Sequence, residues 1–220
     1  MAKESKAKKK KRMEEVIARL KGEYPDSRCS LDHRSPLQLL VATILSAQCT
    51  DALVNKVTPE LFRRYQEPSD YAAATQAEME EQLRSVNFYR GKARSLIGVG
   101  RALEKEHGGR VPASVEQLTA LPGVGRKTAN VVLGTAFGVA DGVVVDTHVK
   151  RITNRLAFTR NSDPDKVEND LLPLVPEDER VSFTHRMIDH GRAVCIGRKP
   201  RCGQCVLLEL CPTGRQNLAA

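Results

Sequence analysis

Lys127 stands two residues past Gly125 in the run LPGVGRKTANVV at positions 121–132, and Asp146 follows 19 residues later in VVVDTH. A lysine amine is a nucleophile once neutral, able to displace a leaving group at an electrophilic carbon and to form a Schiff base that acidifies the neighbouring C–H for β-elimination. An unperturbed lysine is neutral in only about one molecule in 2,500 at pH 7, and a helix start shifts that balance by less than about one pKa unit. Desolvation or a neighbouring base must supply the rest. Asp146 is the candidate for that help, taking a proton or stabilising positive charge that develops as a leaving group departs. The plainer readings are an N-cap for Asp146, at the start of a helix from Thr147, and a solvated surface residue for Lys127. A second group is Cys195, Cys202, Cys205 and Cys211, separated by six, two and five residues. Four thiols so close point to a metal centre. Structural zinc usually takes two Cys-x-x-Cys knuckles and this segment has one, so its spacing tilts toward an iron-sulfur cluster, with zinc still open. Disulfides are disfavoured in a reducing compartment.

The elements that position these residues are helical. Ser114 and Gln117 are spaced as a capping box, with Val115, Leu118 and Leu121 on one face, and Ala129, Val132, Leu133 and Ala136 keep helical spacing up to Gly138. The segment therefore reads helix, tight turn, helix. Gly123 and Gly125 open backbone angles closed to other residues and leave amide N–H groups bare at a helix start, where phosphate is attracted. A nucleotide-binding P-loop is excluded, because Arg126 separates the glycine from Lys127 and the preceding element is not a strand.

Upstream, Met13, Val16, Ile17 and Leu20 form a helical stripe, and YPDSRCSLDHRSP reads as a loop. Ser35 and Pro36 start the next helix, Thr58 and Pro59 read as another start, and Thr75 with Glu78 makes a capping box. A longer helix is expected from about Lys92 to His107, stopped by Gly108 and Gly109. Downstream, helices are expected from Thr147, after Pro164, and from about Glu177 to Val194. Val143 to Val145 is the only β-branched run and is too short for a sheet. The expected fold class is all α.

Composition narrows the function less. The chain has 220 residues, 40% of them hydrophobic, enough for a sizeable core. Its net charge is +8, but the first twelve residues carry seven Lys or Arg and one Glu, which leaves only +2 for the remainder. Residues 1–12 read as a flexible basic tail, drawn to phosphate or simply solvated. With five Phe, four Tyr and no Trp, aromatic platforms for single strands are disfavoured and duplex binding fits better. No apolar stretch approaches membrane-spanning length and the N-terminus lacks a secretory core, so a cytoplasmic protein is expected.

The hairpin followed by Arg126, Lys127 and Thr128, together with VDTHV at positions 145–149, resembles the endonuclease III family of helix-hairpin-helix DNA glycosylases. Adenine mismatch glycosylases are similar but carry no lysine at that position and typically read DGN in the second motif. The resemblance runs from about Met13 to Pro212. It implies a bilobal fold, with a six-helix domain over 29–140, its hairpin at 121–126, and a second domain joining 13–28 to 141–220. Lys127 and Asp146 would occupy opposite walls of the cleft between them. The cysteine spacing at 195–211 is the one this family uses for a 4Fe-4S cluster.

The resemblance also nominates DNA contacts. Gln48 matches a position that inserts a polar side chain opposite the lesion, and Phe88 matches an apolar wedge, although Asn87 stands where the family usually has glycine. A surface amide and a core aromatic are their plainer readings. Gly123, Val124, Gly125 and Arg126 would grip phosphate through the hairpin, and Arg198, Lys199 and Arg201 through the cysteine loop. His148 is a further contact or a plain helix-surface residue. Cys29 and Cys49 are expected to be buried free thiols.

Together these features predict a monomeric, bifunctional DNA glycosylase and abasic-site β-lyase. It would remove oxidised or ring-saturated pyrimidines from double-stranded DNA, with Lys127 as nucleophile. The rivals are a mono-functional mismatch glycosylase and a non-catalytic duplex-binding module whose cysteines hold a structural metal.

Overall fold

A computed structural model of the chain describes residues 4–140 and 142–219, which are helical with no strand among them. Asp141 is outside the described residues, and Val143 to Val145 run as non-helical backbone into the next helix. The helices are α1 (Lys6–Glu23), α2 (Pro36–Ser46), α3 (Asp51–Arg64), α4 (Pro68–Ala73), α5 (Gln76–Gln82), α6 (Tyr89–His107), α7 (Val115–Ala120), α8 (Arg126–Val132), α9 (Thr147–Arg155), α10 (Pro164–Leu171), α11 (Arg180–Ala193) and α12 (Pro212–Ala219). The chain divides into two compact units, Cys29–Val139 and the remainder, which joins Met1–Arg28 to Ala140–Ala220.

The Cys29–Val139 unit is built on α2, whose residues 39–45 are all buried. It starts where Ser35 accepts the Gln38 N–H at 3.2 Å, with Pro36 in the first turn. Helix α2 packs against α3, α6 and α8, and α6 packs against α4 and α5. Thr75 and Glu78 cap α5 reciprocally, and Gly108 ends α6 at φ 56°. Thr58 and Pro59 do not start a helix. Thr50 caps α3 instead, accepting from the Leu53 N–H at 3.2 Å, and the helix runs through Pro59 because Val54, Thr58 and Leu61 bury one face. After α8 the helix widens into a π turn at Leu133–Phe137 and stops at Gly138, φ 68°.

In the other unit α1 contributes Met13, Val16, Ile17 and Leu20 to the core. Residues 6–12 of the basic run are helix rather than a flexible tail: Ser5 caps α1, and they form its first turns. Arg12 explains the order, donating to the Leu156 and Leu210 carbonyls at 2.6 and 3.2 Å and lying 4.2 Å over the Phe158 ring. Met1 to Lys3 are outside the described residues. Helix α11 packs against α1 and α9, and α12 against α9. Before α11 residues Glu177–Glu179 make a 3-10 turn rather than the first turn of the long helix.

Candidate functional site

The hairpin is anchored by Leu121 and Val124, both buried, with the Val124 N–H closing a turn onto the Leu121 carbonyl at 3.2 Å. Pro122, Gly123 and Gly125 are exposed between and beyond them. Gly123 has φ +76°, and a Cβ there would lie 2.5 Å from Ser95 Oγ, so only glycine fits. Gly125 does not need that freedom: its φ is −89° and nothing lies within 4 Å of an added Cβ. Val124 directs its side chain into the core, leaving only backbone for a phosphate. Arg126 and Lys127 open α8, both exposed, while Ala129, Asn130 and Val132 are buried.

In the same unit the turn after α2 exposes Gln48 at φ 54°, and the residue before α6, Phe88, has φ 58°. Phe88 is 66% exposed, so it is not a core aromatic. Buried Lys92, one turn into α6, donates to the carbonyls of Leu45 and Ala47, each at 2.7 Å, and lies 3.4 Å from Cys49 Sγ. Asn87 Nδ2 donates to the Gln48 carbonyl at 2.8 Å. Cys29 and Cys49 are half-buried, and burial pushes the Cys29 thiol up.

In the other unit Asp146 is the N-cap of α9, its Oδ1 accepting the Val149 N–H at 2.8 Å. The capping role leaves its second carboxylate oxygen for other partners. His148 is half-buried, and Arg151 Nη2 lies 3.0 Å from its Nδ1. Burial lowers the His148 pKa, with Arg151 and Arg192 adding to that against the opposing pull of Asp146 and a hydrogen bond to the Gly191 backbone, and the net lowering favours the neutral ring. With Nδ1 accepting from Arg151, Nε2 carries the proton and can donate.

The same helix holds the cysteine segment. Arg151 Nε donates to the Cys195 carbonyl at 3.1 Å, and Arg155 donates to the Ile196 and Gly197 carbonyls at 2.8 and 2.6 Å. All four cysteines line one cavity with Leu208, Gly214 and Asn217. Each sulfur has a nitrogen neighbour: Arg155 Nη1 on Cys195 at 3.2 Å, Asn217 Nδ2 on Cys202 at 3.6 Å, His190 Nε2 on Cys205 at 3.5 Å and the Gly214 N–H on Cys211 at 3.2 Å. Such N–H···S contacts suit ligating thiolates. Burial pushes the Cys205 thiol up to about 11 and Cys211 upward too, the other cysteines adding repulsion. Deprotonating this set requires a cationic centre. Among the described residues no three His, Cys, Asp or Glu converge on a single-ion site, and thiols spread around a cavity fit a multi-atom cluster. Arg198, Lys199 and Arg201 are exposed on the intervening loop.

Sequence reasoning missed Arg151, Arg155, His190 and Lys92. The i, i+4 arginines on α9 were a legible signal, since such a pair marks one helix face. Lys92 and His190 were not, because burial of a polar side chain is decided by tertiary packing. Lys127 and Asp146 belong to different units.

An all-helical chain with an exposed lysine after a glycine hairpin, a capped aspartate and a four-cysteine cavity defines a helix-hairpin-helix base-excision repair protein. The family model described as HhH-GPD superfamily base excision DNA repair protein matches residues 41–177, and the iron-sulfur binding domain of endonuclease III matches residues 195–211. The chain is 51% identical to an endonuclease III of Synechocystis sp. over 95% of each chain, and 42% identical to that of Escherichia coli K12 over 92% of this chain and 95% of the relative. The solved structure of a non-covalent endonuclease III-DNA complex matches with a TM-score of 0.89 at 44% identity, covering 96% of this chain and 99% of that one. A trapped endonuclease III-DNA covalent intermediate matches with the same TM-score of 0.89, over 95% and 98%. The chain belongs to the endonuclease III family. It is a DNA glycosylase and abasic-site lyase of base-excision repair, and Cys195, Cys202, Cys205 and Cys211 are the thiols available to its 4Fe-4S cluster.

Proposed function

We propose that Lys127 is the nucleophile, that Asp146 assists it, and that the substrates are oxidised or ring-saturated pyrimidines, such as thymine glycol, in double-stranded DNA. The observation that carries this reading is the placement of Lys127, exposed as the second residue of α8 directly after the Gly123 turn. The neutral amine attacks C1′ of the damaged nucleotide, and the glycosidic bond breaks as the base leaves with a proton. The sugar ring opens to an imine on Lys127, which acidifies the 2′ proton; its loss expels the 3′ phosphate, and water then releases the enzyme. Asp146 takes the proton from the Lys127 ammonium to free the amine for attack, or holds positive charge on the sugar, through the carboxylate oxygen that does not cap α9. Because Lys127 is exposed, bound DNA supplies its desolvation.

The target base must leave the stack first. Phe88 is the apolar wedge that fills the gap and Gln48 the polar prong opposite the lesion. The hairpin amides, Arg126, His148 through Nε2–H, and Arg198, Lys199 and Arg201 hold phosphates. In this reading the cluster is structural, shaping the loop that carries those three cations. The Cys29–Val139 unit is the hairpin domain, the other unit the cluster domain, and the protein acts as a monomer on chromosomal DNA in the cytoplasm.

Borohydride trapping on a duplex carrying one thymine glycol tests the reading. The wild type forms a covalent adduct and Lys127→Ala does not, while both bind the duplex. Excision without trapping would replace the lysine by attack of water. Neither trapping nor excision, on this duplex and on one with an abasic site, would remove the assignment of Lys127.

A further inference from the structure

Two exposed residues of the Cys29–Val139 unit, Gln48 at φ 54° and Phe88 at φ 58°, hold left-handed backbone conformations that disfavour side chains. Such a conformation is strained for a residue with a Cβ and persists only where surrounding contacts enforce it. An exposed phenylalanine in such a conformation, in a repair enzyme, has the character of a wedge between base steps. The contacts that enforce the pair come from one short segment. Asn87, immediately before the wedge, reaches across to the Gln48 carbonyl at 2.8 Å. Lys92 fixes the carbonyls of Leu45 and Ala47, each at 2.7 Å, just before Gln48 in the same turn. Gln48 and the residue before it are thus both held by the segment that carries Phe88.

We propose that Asn87 is a positioning residue that joins the Gln48 and Phe88 turns into one rigid two-pronged element, so that both prongs enter the base stack in one step and base extrusion precedes chemistry without prior loop ordering. The argument rests on the reading of Gln48 and Phe88 given above, and deepens it. Glycine at position 87 lacks the amide and leaves the two turns to order separately. Asparagine contributes here through its donor: the Gln48 carbonyl accepts and cannot be served by a carboxylate. Asn87→Asp therefore keeps the shape and removes the bond, and Asn87→Gly removes the side chain altogether.

Stopped-flow fluorescence of a duplex with 2-aminopurine beside a tetrahydrofuran abasic analogue reads extrusion apart from chemistry. Loss of one neutral hydrogen bond predicts extrusion slower by about fivefold in both Asn87→Asp and Asn87→Gly. Cleavage of a single-stranded abasic oligonucleotide, where no stack must be opened, stays at the wild-type rate, and thermal melting confirms that both variants fold. Gln48→Ala and Phe88→Ala run alongside test the underlying reading separately. If they slow extrusion and neither Asn87 variant does, the clamp is overturned while the prongs stand. If they leave extrusion unchanged, the two turns do not enter the stack and the reading falls with the clamp. Equal losses on duplex and single strand for the Asn87 variants would mark a general folding role and also overturn the proposal.

Discussion

Arg155 donates a guanidinium N–H to the Sγ of Cys195 at 3.2 Å. It is the last residue of the helix that Asp146 caps, so one nine-residue helix spans from that candidate catalytic carboxylate to a cysteine thiol. Three further acceptors, the carbonyls of Cys195, Ile196 and Gly197, share the same guanidinium. Arg155→Ala should release iron several-fold faster under a chelator, read as decay of the cluster's visible absorbance. Arg155→Lys should not rescue it, because an ammonium lacks the planar fork that serves acceptors on two edges. Equal decay in all three proteins would show that the arginine only packs.

Asp146 has two separable roles. Asparagine caps a helix as well as aspartate does, whereas alanine loses about 1 kcal/mol. Asp146→Asn should keep the wild-type unfolding midpoint yet lose most base excision, and Asp146→Ala should lose both. Full excision by Asp146→Asn would reduce the residue to a cap.

Gly123→Ala places a methyl against Ser95 at a φ of +76°. The strain is about 1 to 3 kcal/mol if the turn holds, and is relieved if the hairpin shifts. Weaker binding to undamaged duplex is expected, together with a shallower salt dependence from lost phosphate contacts. Gly125→Ala, with open space at its Cβ, should change stability by much less. A Gly125 variant as damaged as the Gly123 variant would contradict this division.

Glu179 makes ion pairs with Arg186 at 2.7 Å and Lys21 at 3.2 Å. Burial raises its pKa, but the two cations together outweigh burial and hold the carboxyl below its usual 4.5. A carboxyl depressed in the folded state contributes stability that is complete above the unfolded value and is lost as pH falls through the folded one. Urea melts from about pH 6 down to about pH 3 should therefore show a steeper acid loss for wild type than for Glu179→Gln, by on the order of 1 kcal/mol. Parallel acid limbs would remove Glu179 as a contributor.

The helices that carry the chemistry were legible residue by residue, because caps and apolar spacing act locally. Ser35, Thr75, Ser114 and Asp146 all cap the helices their side chains announce. The cysteine spacing and the lysine after the hairpin were equally plain, since both are fixed offsets along the chain. Tertiary structure decided the rest. A buried face carries α3 through Pro59, and Arg12 turns an apparent tail into helix by reaching carbonyls at Leu156 and Leu210, far away in sequence. Phe88 reads as core by residue type and stands exposed, while Leu83 and Val86 shortly before it are buried. The nitrogen donors around the four sulfurs and the bond from Asn87 to Gln48 could not be read from spacing. They join residues up to 40 positions apart, and only packing brings a donor within 4 Å of its acceptor.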